Sequence, residues 1–368
     1  MKTEFKKYVS EKAELVNKYI SEYNLEFFSP DDLADAAISY PLSGGKRLRP
    51  VVTMLCAGLF GGKEAENAAL PVACGAELFH NWTLIHDDII DNDDFRRGNP
   101  TAHKRIYENS LKYGMSQAIT EEYGRSISIL AGDRLHSLSI CMMSELRKNP
   151  SVSLAVPLEI IAMAENEYVG ELISGEAIDV CNGMMFDSSY DSLKYFSENE
   201  DRIISMMRGK TGILYAFCCV AGGMIGLNTA DSGHPMLNAL KKFAIDCGIA
   251  FQLRDDILGV VSDEKTLGKP VGSDIREGKK TTILTETFRN ASAEEREFLT
   301  KNVGNKNADS KDIKAIAGLF EKRGGIKYTE NLAEKYIQSS LANLKVIPDN
   351  QYKKILVQWA EYMIGRDY

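Results

Sequence analysis

Apolar residues recur at intervals of three and four along most of the chain, as in ALPVACGAELFHNWTLIH, SISILAGDRLHSLSICMMSEL, AVPLEIIAMAENEYVGELISGEAIDV, GILYAFCCVAGGMIGL and ALKKFAIDCGIAFQLRDDILGV. That spacing lines one side of a 3.6-residue helix with apolar groups, and the strict alternation that marks strands is hard to find. An all-α protein is therefore expected. Several of these stretches are apolar nearly all round, which suits central helices of a large bundle rather than surface helices.

Breaks fall at 43–50, 58–66, after Pro100, and at 181–191, 228–235, 263–280 and 302–310. None resembles a long flexible linker or shifts composition, so residues 1–368 are expected to form a single domain, although 368 residues alone would suggest two. A net charge of −8 argues against general nucleic-acid binding, which demands a basic surface. The seven cysteines are odd in number and scattered, with no CxxC pattern, and read as small buried hydrophobes of a reducing compartment. The N-terminal stretch mixes charged and apolar residues at helical spacing, unlike a signal peptide, and no run of about 18 uninterrupted apolar residues marks a membrane span. A cytoplasmic protein is expected.

LIHDDIIDNDDFRRGNP, from Leu84 to Pro100, places five aspartates in eight residues and follows them with two arginines. Asp87 and Asp91 stand four apart behind a helical run and share a face, where like charges cost a helix about 0.2–0.5 kcal/mol. A hard dication such as Mg²⁺ offsets that cost, because it takes oxygen ligands and is usually held by one or two carboxylates plus substrate phosphates. LIHDDIID is echoed by QLRDDILG, which puts Asp255 and Asp256 at the end of a second apolar helix. Lys46 and Arg49 in GGKRLRP, Arg96 and Arg97, Lys210 in RGKTG, and Lys269 with Lys279 supply counter-charge suited to diphosphate.

From about Tyr40 onward the sequence resembles the trans-isoprenyl diphosphate synthases, the polyprenyl synthetase family. GGKRLRP, ELFHNWTLIHDDIIDNDDFRRGNPTAH, YGRSISILAGD, GEAIDV, GKTG and FQLRDDILG with GKPVGSDIREGKKT carry the resemblance, in the family's order. It implies the isoprenoid synthase fold, a helical bundle around a central apolar cavity, and a homodimer. It also implies condensation of isopentenyl diphosphate with an allylic diphosphate (dimethylallyl, geranyl or farnesyl) at three Mg²⁺ ions. By that resemblance Asp87, Asp91 and Asp255 are metal ligands, with Asp88 and Asp256 beside them. Lys210, Thr211, Gln252, Lys269 and Arg96 match contacts to the allylic diphosphate. Lys46, Arg49, His80 and Arg97 match the isopentenyl diphosphate pocket, and Lys279 is a further diphosphate cation. Asp87, Asp88, Asp91, Lys210 and Asp255 are the expected catalytic set.

In the family, large residues four, five and eight positions before the first aspartate close the floor of the product cavity; here they are Thr83, Trp82 and Phe79. Trp82 resembles the single aromatic of archaeal geranylgeranyl diphosphate synthases, so a twenty-carbon product is expected, with fifteen carbons next. On an ideal helix, however, Trp82 points about 140° away from Asp87, which leaves a core role open. Three departures stand out: Gly259 where many members have a third aspartate, an apparent insertion near 104–122, and Glu176 in place of the usual glutamine. A terpene cyclase of the same fold would not need Lys46, Arg49, His80 and Arg97, and a non-catalytic partner subunit should have lost acidic ligands. A plain helical scaffold explains neither the order nor the pairing of the motifs.

Overall fold

The three-and-four periodicity is realised as helices throughout the computed structural model, which describes residues 3–23, 29–184, 189–261 and 272–365. In chain order these include α1 (Thr3–Glu22), α2 (Asp31–Ile38), α3 (Leu48–Ala68), α4 (Leu70–Asp91), α5 (Ala102–Ser110), α6 (Gln117–Ser144), α7 (Ala155–Met163), α8 (Val169–Met184), α9 (Tyr190–Glu198), α10 (Glu200–Met207), α11 (Ile213–Leu227) and α12 (Pro235–Val261). Helices Ser273–Glu277, Thr282–Asn290, Ala293–Asn302, Ser310–Lys322, Gly325–Asn343 and Gln351–Ile364 follow. Among the described residues the only strands are the two-residue pair β1 (Phe95–Arg96) and β2 (Asn99–Pro100).

Two compact units divide the chain: residues 1–164, 217–238 and 349–356, and residues 165–216, 239–348 and 357–368. In the first, α4 lies along α6. Close approach is possible because Gly75 has no side chain: a Cβ there would sit 2.8 Å from the Ser139 carbonyl oxygen. The expected break at 58–66 falls at Gly62, whose φ of 64° and ψ of −155° are not helical, so α3 consists of two helical segments that meet at a kink there. The apparent insertion is built in as well. It forms most of α5 and the start of α6, and Arg105 grips Asp35 of α2 through two bonds of 2.8 and 2.6 Å.

In the second unit, Ile257, Ile275, Ile283, Leu284 and Phe288 pack with Phe320 into a continuous apolar core. Trp359 is fully buried there, edge-on to Tyr215 at 5.3 Å. One helical stretch, Glu200–Leu227, is long and apolar enough to cross a membrane, yet 83% of its most apolar window is buried, as in a core helix.

Candidate active site

The acidic end of α4 is shaped by its C-cap. Asn92 takes the left-handed conformation (φ 55°), its amide bonds back to Asp88 and Ile89, and the chain turns at once into the β1–β2 hairpin. Arg97 and Gly98, both with positive φ, form the hairpin's two-residue turn, a geometry that matches strand twist. The hairpin returns Arg96 to the helix end. Its Nε lies 2.8 and 2.9 Å from the two oxygens of Asp88, and a terminal nitrogen reaches Oδ2 of Asp87 at 3.3 Å. Burial alone would lower the Arg96 pKa, but the bonds and charge of Asp88 outweigh it and hold the guanidinium firmly protonated.

Asp88 is wholly buried, and its second oxygen also accepts a hydrogen bond from the Tyr40 hydroxyl, which in turn accepts the Ala102 amide at 3.3 Å. Asp88 therefore anchors Arg96, while Asp87 and Asp91 face outward on the same side of α4. Burial first, then the charge of Asp88, pushes the Tyr40 phenol far above its ordinary value, so it stays a donor. A cavity of about 460 Å³ opens here, lined by Tyr40, Ser43, Leu84, Arg96, Arg97 and Arg105 among others.

Of the cations in GGKRLRP, the middle one turns inward. Arg47 is buried, donating to Glu77 at 2.6 Å, Asn17 at 2.8 Å and the Pro41 carbonyl at 2.5 Å. This anchor fixes the junction between the loop that carries Lys46 and the first turn of α3, which carries Arg49. Arg49 donates to Nε2 of His80 at 2.9 Å, so that nitrogen is an acceptor and the ring proton sits on Nδ1. Burial drives the His80 pKa well down, and the charges of Arg49 and Arg97 push further the same way. His80 is neutral. Arg97 bonds the Gly44 carbonyl at 2.9 Å, completing a basic ring around the histidine.

Deeper along α4, Trp82 lies against His136 of α6 with ring centroids 4.4 Å apart and planes tilted by 44°, and meets Phe79 edge-to-face at 5.0 Å. Phe79 is fully buried, and the Thr83 hydroxyl caps the His80 carbonyl at 2.8 Å. The indole nitrogen of Trp82 is buried without a hydrogen-bond partner.

In the second unit RGKTG is a π-turn, Arg208–Gly212, laid against α8 where Gly175 and Gly209 meet: a Cβ at Gly175 would fall 2.3 Å from the Lys210 amide nitrogen. Lys210 Nζ lies 2.7 Å from Asp179 and 3.0 Å from Glu176. Glu176 thus points at the cation rather than outward. Thr211 donates to Gln252 at 3.1 Å, and Gln252 donates to Asp256 at 3.3 Å. Lys279 Nζ sits 3.1 Å from Asp256 and 4.0 Å from Asp274. Burial raises the Asp256 carboxyl to about 6 against the opposing pull of Lys279, and its Oδ2 is buried with no hydrogen-bond partner. Asp255, its neighbour, is half-buried. Lys269 lies outside the described residues.

No three Asp, Glu, His or Cys residues converge to close a metal shell among the described residues. An all-carboxylate donor set of one or two residues per ion, with an orphaned buried oxygen on Asp256, fits Mg²⁺ completed by substrate phosphates rather than a protein cage. Reasoning from sequence missed Tyr40, Arg47, His136 and Asp274. Of these, Arg47 and Asp274 stand inside quoted motifs, whereas Tyr40 and His136 carry no local signal.

Clustered carboxylates, guanidinium forks and an aromatic wall within an all-α frame define an enzyme that handles diphosphate esters of apolar molecules. The polyprenyl synthetase family model matches residues 31–320, and the chain belongs to that family; it is a trans-prenyltransferase. It is 34% identical to the geranylgeranyl diphosphate synthase of Saccharolobus solfataricus, over 91% of this chain and 90% of that one. The crystal structure of geranylgeranyl pyrophosphate synthetase from Pyrococcus horikoshii matches 99% of both chains at 30% identity and a TM-score of 0.80. The geranylgeranyl pyrophosphate synthase of Corynebacterium glutamicum, complexed with isoprenyl diphosphate and magnesium, matches 99% of both chains at 29% identity and a TM-score of 0.77. The fold is that of the all-α isoprenoid synthases.

Proposed function

We propose that the chain, read as one polyprenyl synthetase domain, condenses isopentenyl diphosphate with an allylic diphosphate to make geranylgeranyl diphosphate. The observation that carries this reading is the basic ring of Arg49, His80 and Arg97 beside the Asp87–Asp91 face: one set of groups for each diphosphate. The twenty-carbon product rests on Trp82 and on the names of the relatives. Mg²⁺, three ions with substrate bound, would be held by Asp87, Asp91 and Asp255 with Asp256 beside them, and would neutralise charge on the leaving diphosphate.

The protein's own groups do the rest. Arg96, Lys210, Thr211, Gln252, Lys269 and Lys279 hold the allylic diphosphate, and their charges stabilise it most as the allylic C–O bond breaks and its electron pair moves to oxygen. Lys46, Arg49, His80 and Arg97 hold isopentenyl diphosphate with its double bond toward the allylic cation. A new carbon–carbon bond forms, and a proton leaves to the departed diphosphate, restoring the alkene. Neutral His80 contributes a donor at Nδ1 without taking that proton. Apolar walls keep water from the cation.

A cytoplasmic homodimer is the form we expect, the dimer supported by apolar residues left exposed on α6 (Ile129, Leu130), just before α7 (Leu154) and on α7 (Leu158). Incubation with Mg²⁺, labelled isopentenyl diphosphate and each allylic diphosphate, followed by chromatography of dephosphorylated products, tests the function. A ladder ending at twenty carbons is expected, and one ending at fifteen would assign a farnesyl diphosphate synthase. Allylic turnover without isopentenyl incorporation would indicate a cyclase, and no reaction would indicate a partner-dependent subunit.

A further inference from the structure

Gly259 stands one turn beyond Asp255 on α12, where the missing third aspartate would share a face with it. The place is not vacant. Oδ2 of Asp274 lies 2.8 Å from where a Cβ at position 259 would be, and its Cγ lies 3.5 Å away. Asp274 arrives from another element, the first turn of helix Ser273–Glu277, after Gly272 in the left-handed conformation. The Lys279 amide bonds the Asp274 carbonyl at 3.0 Å and keeps that short helix closed.

The charge balance points the same way. Lys279 Nζ is 3.1 Å from Asp256 and 4.0 Å from Asp274, so two carboxylates share one ammonium, and Asp256 is 1% exposed with an oxygen lacking any hydrogen bond. Negative charge in excess at a buried oxygen calls for a cation that arrives with the substrate.

We propose that Asp274 supplies the third carboxylate of the second acidic motif and that position 259 is glycine to admit it. The proposal rests on the prenyltransferase reading with Mg²⁺ given above. A side chain at 259 would displace the Asp274 carboxylate, so the two positions are alternatives for one charge.

Mn²⁺ binding in the presence of inorganic pyrophosphate, followed by electron spin resonance, tests this without turnover. Asp274→Asn is expected to weaken Mn²⁺ binding about tenfold or more, the scale of groups that support a metal's ligands. Gly259→Ala, which pushes the carboxylate aside, should weaken it similarly. Gly259→Asp combined with Asp274→Asn should recover wild-type binding within about threefold, and circular dichroism identifies any variant that misfolds. Wild-type binding by Asp274→Asn, or a folded double variant no better than Asp274→Asn, overturns the proposal. Product formation by the wild-type enzyme is assayed in parallel: its absence would sink the functional reading, whatever the Mn²⁺ result.

Discussion

Arg96 grips Asp88 through Nε at 2.8 and 2.9 Å while the same guanidinium extends to Asp87 at 3.3 Å, so two adjacent aspartates have different work. Asp88 is buried and held by Arg96 and Tyr40, whereas Asp87 is partly exposed. Asp88→Asn removes the charge that fixes Arg96 and should cost about 2 kcal/mol of stability, the scale of a hydrogen bond to a charged group. Asp87→Asn should lower the thermal midpoint less than Asp88→Asn, because its contact to Arg96, at 3.3 Å, is longer than those of Asp88. Its turnover at saturating Mg²⁺ should fall about a hundredfold or more. Thermal unfolding beside steady-state rates separates the two; equal stability losses would refute the division of labour.

Lys210 is bracketed by Asp179 at 2.7 Å and Glu176 at 3.0 Å. An allylic diphosphate reaching Lys210 meets both carboxylates, and each repels it. Glu176→Gln removes one while keeping the shape, so KM for the allylic substrate should fall about two- to fivefold, the range of a partly exposed ion pair, with kcat little changed. A KM that stays level or rises would place Glu176 outside the substrate's field.

What the sequence disclosed follows from how far each interaction reaches along the chain. Helices were legible because the three-and-four pattern is local, and the acidic motifs because Asp87 and Asp91, or Asp255 and Asp256, are neighbours on one helix. Arg49 and His80 were named by resemblance, but their 2.9 Å bond joins α3 to α4 across 31 residues and no spacing rule predicts it. Tyr40 reaches Asp88 over 48 residues, and Asp274 fills space beside Gly259 from another helix. The break expected at 58–66 was legible for the same local reason as the helices: Gly62 takes a non-helical φ of 64° and ψ of −155° and separates the two helical segments of α3. Glu176 could not be oriented from sequence, because only the close packing of Gly175 on Gly209 brings Lys210 to it.

His80 gives the fold a pH dependence of definite sign. Its folded pKa is lowered well below the ordinary 6.5, by burial and then by Arg49, so in acid the unfolded chain binds a proton that the folded chain refuses. The His80 contribution to stability is therefore lost as pH falls below about 6.5, by up to about 1.4 kcal/mol per pH unit for one proton, and His80 adds no slope well above that value. His80→Gln should flatten this part of the curve between pH 7 and 5. His103, lowered in the same direction mainly by burial, leaves a residual slope. Unfolding midpoints of wild type and variant across that range check the difference; parallel curves would mean that His80 titrates normally.

Trp82 is where the product's length is expected to be decided. Its ring lies against His136 at 4.4 Å and Phe79 at 5.0 Å, between α4 and α6, and its buried indole nitrogen has no partner. Phe79 is fully buried one turn further down, while Thr83 is small and tied to its own helix, so neither substitutes for the tryptophan as a stop. Trp82→Ala removes the ring and opens a cavity continuous with Phe79, at a stability cost of about 3 kcal/mol or more. If the ring is the floor, the variant should extend products by one or more five-carbon units beyond wild type, and Trp82→Phe should shift them less. If it serves only the core, Trp82→Ala will lose stability with an unchanged product ladder. Chromatography of dephosphorylated products from both variants, at a temperature where both remain folded, decides between a floor and a filler.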